Sequence, residues 1–130
     1  MKEACPSGLD GLAFGWPPLP PEARARVSVL PGDAGAHADA IAEADVVVAD
    51  PPRKGLEERL LAALLARPPR RVALVSCNLS AGLREARELQ AAGLGLVALV
   101  PYALFPHTEH VETVALFERR TGLSTASSPA

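Results

Sequence analysis

Cys77 offers the most reactive side chain in this chain of 130 residues. It closes the apolar run Arg71-Val72-Ala73-Leu74-Val75-Ser76-Cys77-Asn78, and a thiolate is a strong nucleophile wherever a site presents it to a ligand. Two carboxylates stand in comparable places: Asp50 closes Asp45-Val46-Val47-Val48-Ala49-Asp50, and Glu112 lies at the start of Val111 to Phe117. A thiol, a candidate base and a second carboxylate around one crevice are the parts needed for covalent catalysis followed by proton removal. Taken singly, each has an ordinary reading. Cys77 alone reads as a small core residue, Asp50 as a helix cap, Glu112 as a solvated charge, and His107 and His110 as surface histidines.

The elements that would bring them together are legible as an alternation of strands and helices. Arg26 to Leu30, Asp45 to Asp50, Arg71 to Ser76, Leu94 to Val100 and Val111 to Phe117 read as strands, the second being β-branched and apolar through its middle as in a strand buried on both faces. Helices are expected over Ala36 to Ala44, over Leu56 to Arg67 before Pro68-Pro69, and from an N-cap at Ser80 to a stop at Gly93. Leu83, Ala86, Leu89 and Gln90 follow that cap at helical spacing. The fold class is α/β, half of a doubly wound sheet with an antiparallel final strand pair. In such sheets ligands gather at the carboxyl ends of the strands, which places Asp50 and Cys77 at one edge and returns the loop before Glu112 to it. Residues 26–120 are expected to form this domain, after a poorly ordered Pro/Gly-rich arm (1–25) and before a disordered tail (121–130).

Composition narrows the classes. Net charge is −2, with 13 Lys and Arg against 15 Asp and Glu, so the chain carries no strongly basic surface for nucleic acid. Two cysteines, Cys5 and Cys77, form no CxxC pair, so neither a metal site nor a disulfide framework is suggested, and a reducing compartment is expected, cytoplasmic or within an organelle. No apolar run approaches the ~20 residues of a membrane-spanning helix.

Asp50-Pro51-Pro52-Arg53-Lys54-Gly55, then Ser76-Cys77-Asn78, then Phe105-Pro106-His107-Thr108-Glu109-His110-Val111-Glu112, in that order, resemble the RNA uracil-5-methyltransferase family, which makes 5-methyluridine in tRNA or ribosomal RNA. The resemblance runs from about Val27 to Arg120 and implies the C-terminal part of a Rossmann-like catalytic domain using S-adenosylmethionine. It implies Cys77 as the nucleophile that adds to uracil C6 and Glu112 as the base that removes the C5 proton. It further implies Asp50 near the methyl donor, Asp33 near the adenosine, and Arg53, Asn78 and His110 as residues that position the substrate. No metal is implied. The family's glycine-rich cofactor turn has no counterpart, because Gly8, Gly11 and Gly15 follow no strand. RNA is therefore the expected partner, with a second chain or a missing N-terminal domain to supply the rest of the cofactor site. Two other readings remain: an inactive remnant serving as a binding or dimerisation module, and an unrelated α/β domain whose cysteine is structural.

Overall fold

The computed structural model describes residues 19–121. The arm through Pro18 and the tail from residue 122 lie outside the described residues. Contacts divide the chain at Gly32/Asp33 into two units. The described part of the first holds one short helix, α1 (Pro21–Arg24), whose last turn is followed by a bond from Arg26 Nε to the Glu22 carbonyl (3.2 Å). The strand expected over Arg26 to Leu30 does not form, and Val27, Val29 and Leu30 are exposed. A strand exists only by pairing, and the sheet of the second unit ends at its first strand without taking this segment in.

The second unit is a four-stranded sheet of β1 (Val46–Ala49), β2 (Arg71–Ser76), β3 (Leu94–Tyr102) and β4 (Glu112–Arg119), in the order β1-β2-β4-β3. β1 and β2 are parallel, whereas β4 is inserted antiparallel between β2 and β3. The antiparallel final pair is thus present as expected. A 3-10 segment (Ala34–Glu43), bent at His37, replaces the expected α-helix before β1, while α2 (Glu58–Ala66) connects β1 to β2 and α3 (Leu79–Ala91) connects β2 to β3. Glu57 caps α2, its carboxylate accepting from the Arg59 and Leu60 amides (3.1 and 3.3 Å). Asn78 caps α3 in place of the expected Ser80, which lies inside the helix. An Asx side chain two residues upstream reaches the amides of Ser80 and Ala81 (3.1 and 3.4 Å), so the helix begins earlier than the Ser80 reading placed it. Gly93, at φ 100°, ends α3 as the sequence foretells.

Register assigns the core to one face. Val47 and Ala49 pair with Val72 and Leu74, which in turn pair with Phe117 and Ala115. Onto this face pack Ile41 of the 3-10 segment, Leu60 and Leu64 of α2, and Ala86 and Leu89 of α3. The buried stripe of α3 is Ala81, Glu85 and Leu89, whereas Leu83 and Gln90, expected to face inward, are exposed. The opposite face carries Val46, Val48, Ala73, Val75, Val114, Leu116, Ala98 and Val100, and no helix among residues 33–121 packs on it. β1, expected to be buried on both faces, is covered on one, and Val48 is 71% exposed.

Candidate active site

The register brings three of the chemically interesting positions to one edge. Ala49 pairs with Leu74, so Asp50 continues β1 beside Val75, while Thr113 pairs with Ser76, so Glu112 is next in line with Cys77. Thr113 Oγ1 also donates to the Ser76 carbonyl (3.3 Å), fastening the start of β4 to the end of β2. Glu112 pairs with Tyr102, and the loop 103–111 joins the two at this same edge. That loop is exposed throughout, with a turn in which the Thr108 hydroxyl donates to the Phe105 carbonyl (2.8 Å) and accepts from the His110 amide (3.3 Å). His107 sits at φ 63°, a left-handed conformation tolerated by few side chains.

Cys77 is a free, half-buried thiol held by its neighbours rather than by any bond of its own to Asp50 or Glu112. Ser76 Oγ donates to the Asn78 carbonyl (2.8 Å) and accepts from the Asn78 amide (3.3 Å), turning the chain around the cysteine. Asn78 then does two things with one amide group. Its Oδ1 caps α3, and its Nδ2 donates to the Arg53 carbonyl (3.1 Å) in the loop after β1. Asn78, expected from the resemblance as a substrate-positioning residue, is thus engaged in joining the exits of β1 and β2. Arg53 enters this link through its backbone, and its side chain is exposed. Asp50 is exposed and caps no helix, because Glu57 takes that role for α2.

Asp33 stands outside this register. It caps the 3-10 segment, its Oδ1 accepting from the Gly35 amide (3.0 Å). A Cβ added at buried Gly35 would overlap the Glu57 carboxylate, so that glycine makes room for a side chain and offers no open cradle for a cofactor. Asp50, at the end of β1, and Asp33 both expose their carboxylates. Among the described residues no cluster of His, Cys, Asp and Glu could hold a metal, and no helix is long and apolar enough to cross a membrane.

Sequence reasoning missed Ser76, Arg84 and Glu85. Arg84 Nη2 donates to the Lys54 carbonyl (3.3 Å), and buried Glu85 accepts from the Leu56 amide. The available signal was position: Glu85 lies midway between Ala81 and Leu89 at i, i+4 spacing, where a helix buries its side chains.

No protein-family model matches the chain. It is 49% identical over 76 residues to a protein of Staphylococcus epidermidis named as an uncharacterized RNA methyltransferase, covering 58% of this chain and 16% of that one. A similarly named protein of Caldanaerobacter subterraneus is 44% identical over 77 residues, 59% of this chain and 17% of that one. Among solved structures, tRNA (uracil-54, C5)-methyltransferase of Pyrococcus abyssi, in complex with S-adenosyl-L-homocysteine, superposes with a TM-score of 0.51 at 38% identity, covering 56% of this chain and 18% of that one. The chain spans about one sixth of the length of the curated relatives it matches. Over that segment the chain is similar to RNA methyltransferases, and its mixed α/β sheet with flanking helices is consistent with part of a Rossmann-like domain.

Proposed function

We propose that this chain carries the nucleophile and base of an S-adenosylmethionine-dependent methyltransferase acting on C5 of uracil in tRNA or ribosomal RNA. The observation that supports it most is the register that aligns Glu112 with Cys77 at the carboxyl end of the sheet, with Asp50 on the adjacent strand. C5 of uracil is a poor nucleophile. Addition of the Cys77 thiolate to C6 forms a C–S bond and moves the C5–C6 electron pair toward C5 and O4, making C5 enolate-like. Asp50 and Asp33 would hold a methyl donor on their side of the site, and such a donor would offer a sulfonium methyl to which C5 could bond as the methyl–sulfur bond breaks, leaving a neutral thioether. Glu112 then takes the remaining C5 proton, the C5–C6 double bond reforms, and the Cys77 thiolate leaves. Arg53 and His110, both exposed at this edge, suit contact with RNA phosphate or the displaced base.

Covalent trapping tests this reading. The chain is incubated with RNA containing 5-fluorouridine and S-adenosylmethionine and resolved by denaturing gel and mass spectrometry. C5 then bears fluorine in place of the proton that Glu112 would remove, so a methylated RNA adduct at Cys77 is expected, and it vanishes in Cys77→Ala. No adduct, with donor binding also undetectable, sinks the reading for these 130 residues.

A second reading has its own observation. Among residues 33–121, no strand pairs with the outer edge of β1 and no helix covers one face of the sheet, with Val46 and Val48 exposed at 51% and 71%. Parallel sheets are ordinarily covered on both faces. This arrangement supports a chain completed by an α/β segment like the upstream part of its relatives, which would add a strand beside β1 and helices over the bare face.

A further inference from the structure

We infer that Glu85 is a positioning residue for the proposed reaction, clamping the loop that leaves β1 so that the exits carrying Asp50 and Cys77 move as one body. The inference rests on the methyltransferase reading and deepens it.

Glu85 is 1% exposed, and its Oε1 accepts from the Leu56 amide while its Oε2 has no hydrogen-bond partner. Its neighbours in the buried stripe of α3 are Ala81 and Leu89. For packing alone an aliphatic side chain would serve better, since a buried carboxylate is costly unless paired and hydrogen-bonded. What the carboxylate gains is the loop. The chain turns at residues 52–55, closed by a bond from the Gly55 amide to the Pro52 carbonyl (2.8 Å). Gly55 adopts φ 97° and is buried, and a Cβ there would overlap Glu85 Oε1.

The N-cap of α3 and two side chains from its middle grip this turn in sequence. Asn78 donates to the Arg53 carbonyl, Arg84 donates to the Lys54 carbonyl, and Glu85 accepts from the Leu56 amide. Only Glu85 of the three acts from the interior; Arg84 is exposed and Asn78 is half-buried. Asn78 is also the residue bonded to Ser76 around Cys77. A displacement of the loop would therefore be felt at both strand exits, and a fixed loop holds the donor side against the nucleophile side. Proximity of this kind supplies a large share of catalytic rate, which small misplacements forfeit.

The test compares Glu85→Leu, Glu85→Gln and Arg84→Met in the full chain. Glu85→Leu removes the acceptor while keeping an apolar side chain of similar size, so the fold is retained, with melting temperature unchanged or raised. Amide exchange at Leu56 is expected to accelerate at least tenfold, and the rate of the Cys77 adduct on 5-fluorouridine RNA to fall at least tenfold. Glu85→Gln keeps an acceptor and stays within about threefold of wild type on both. Arg84→Met, which removes an exposed arm of the same clamp, shifts both readouts about threefold in the same direction and serves should Glu85→Leu unfold. An adduct rate indifferent to both Glu85→Leu and Arg84→Met, or to the latter alone if the former unfolds, overturns the positioning role and leaves the methyltransferase reading intact. Absence of the adduct in wild type removes the reaction and the positioning role together.

Discussion

Leu116 and Phe117 are neighbours on β4, yet Phe117 is 1% exposed and Leu116 38%. They look onto opposite faces of one sheet, and the difference between those faces is the main lesson of the molecule. On the covered face Val72, Leu74, Ala115 and Phe117 meet side chains from α2, α3 and the 3-10 segment. On the other, Val48, Ala73, Leu116 and Ala98 form one apolar row across all four strands and Val75, Val114 and Val100 another, with no helix among residues 33–121 against them. One face holds this chain together. The other has the composition of a core without the contacts of one. The Arg71–Glu118 ion pair (2.9 Å) bridges this bare face at the end remote from Cys77, and exposed pairs of that kind contribute only about 0–1 kcal/mol.

The comparison breaks first at Phe117. Its truncation to alanine empties the centre of the covered face, and large-to-small changes of this sort cost about 3–5 kcal/mol. Urea denaturation should show a loss of that size, a large share of the ~5–15 kcal/mol stability usual for a domain. A loss under about 1 kcal/mol would mean that the helix layer is not what stabilises the sheet.

The edge between the faces, where the candidate site lies, should respond less. Asn78→Ala removes the cap of α3 and the tie to Arg53 together, and loss of an N-cap costs about 1 kcal/mol. Because the same side chain joins the β1 and β2 exits, the variant should also speed alkylation of Cys77 by iodoacetamide, read by peptide mass spectrometry. Stability lost with an unchanged alkylation rate would make Asn78 a cap and nothing more.

What the sequence made legible follows from how local each signal is. The apolar run Val46–Ala49, the Gly93 stop and the strand ending at Ser76 rest on period and turn chemistry within a few residues, and all are present. Asp50 and Cys77 could be placed at one edge because parallel strands end together, and the loop before Glu112 could be returned to it, whereas the register that sets Glu112 in line with Cys77 is known only from the structure. The failures are non-local. Val27 to Leu30 has the composition of a strand, but pairing decides strands, and the sheet stops at β1. The spacing of Glu85 between Ala81 and Leu89 signals burial, but its partner is not legible, because the contact with the Leu56 amide joins positions 29 residues apart. β1, expected to be buried on both faces, is covered on one, because composition reports which environment a run suits and not which neighbours it meets.

The smallest effect on the isolated chain should come from the bare face itself, and this sharpens the comparison most. Val48 is 71% exposed on the edge strand, so Val48→Lys forfeits little buried area and places there a residue that edge strands ordinarily carry. Its stability should stay within about 0.5 kcal/mol of wild type. Association is a different matter. If the face awaits an α/β segment, the portion of the Staphylococcus epidermidis relative that this chain does not match, purified and mixed with this chain, should form a one-to-one complex by analytical ultracentrifugation. A lysine ammonium in the middle of the new core would then be buried without a partner, weakening that complex at least tenfold. A complex unaffected by Val48→Lys would place the contact elsewhere, and self-association of the chain abolished by the same change would make a second copy the occupant. The two faces would then differ in what covers them and not in the physics that requires a cover.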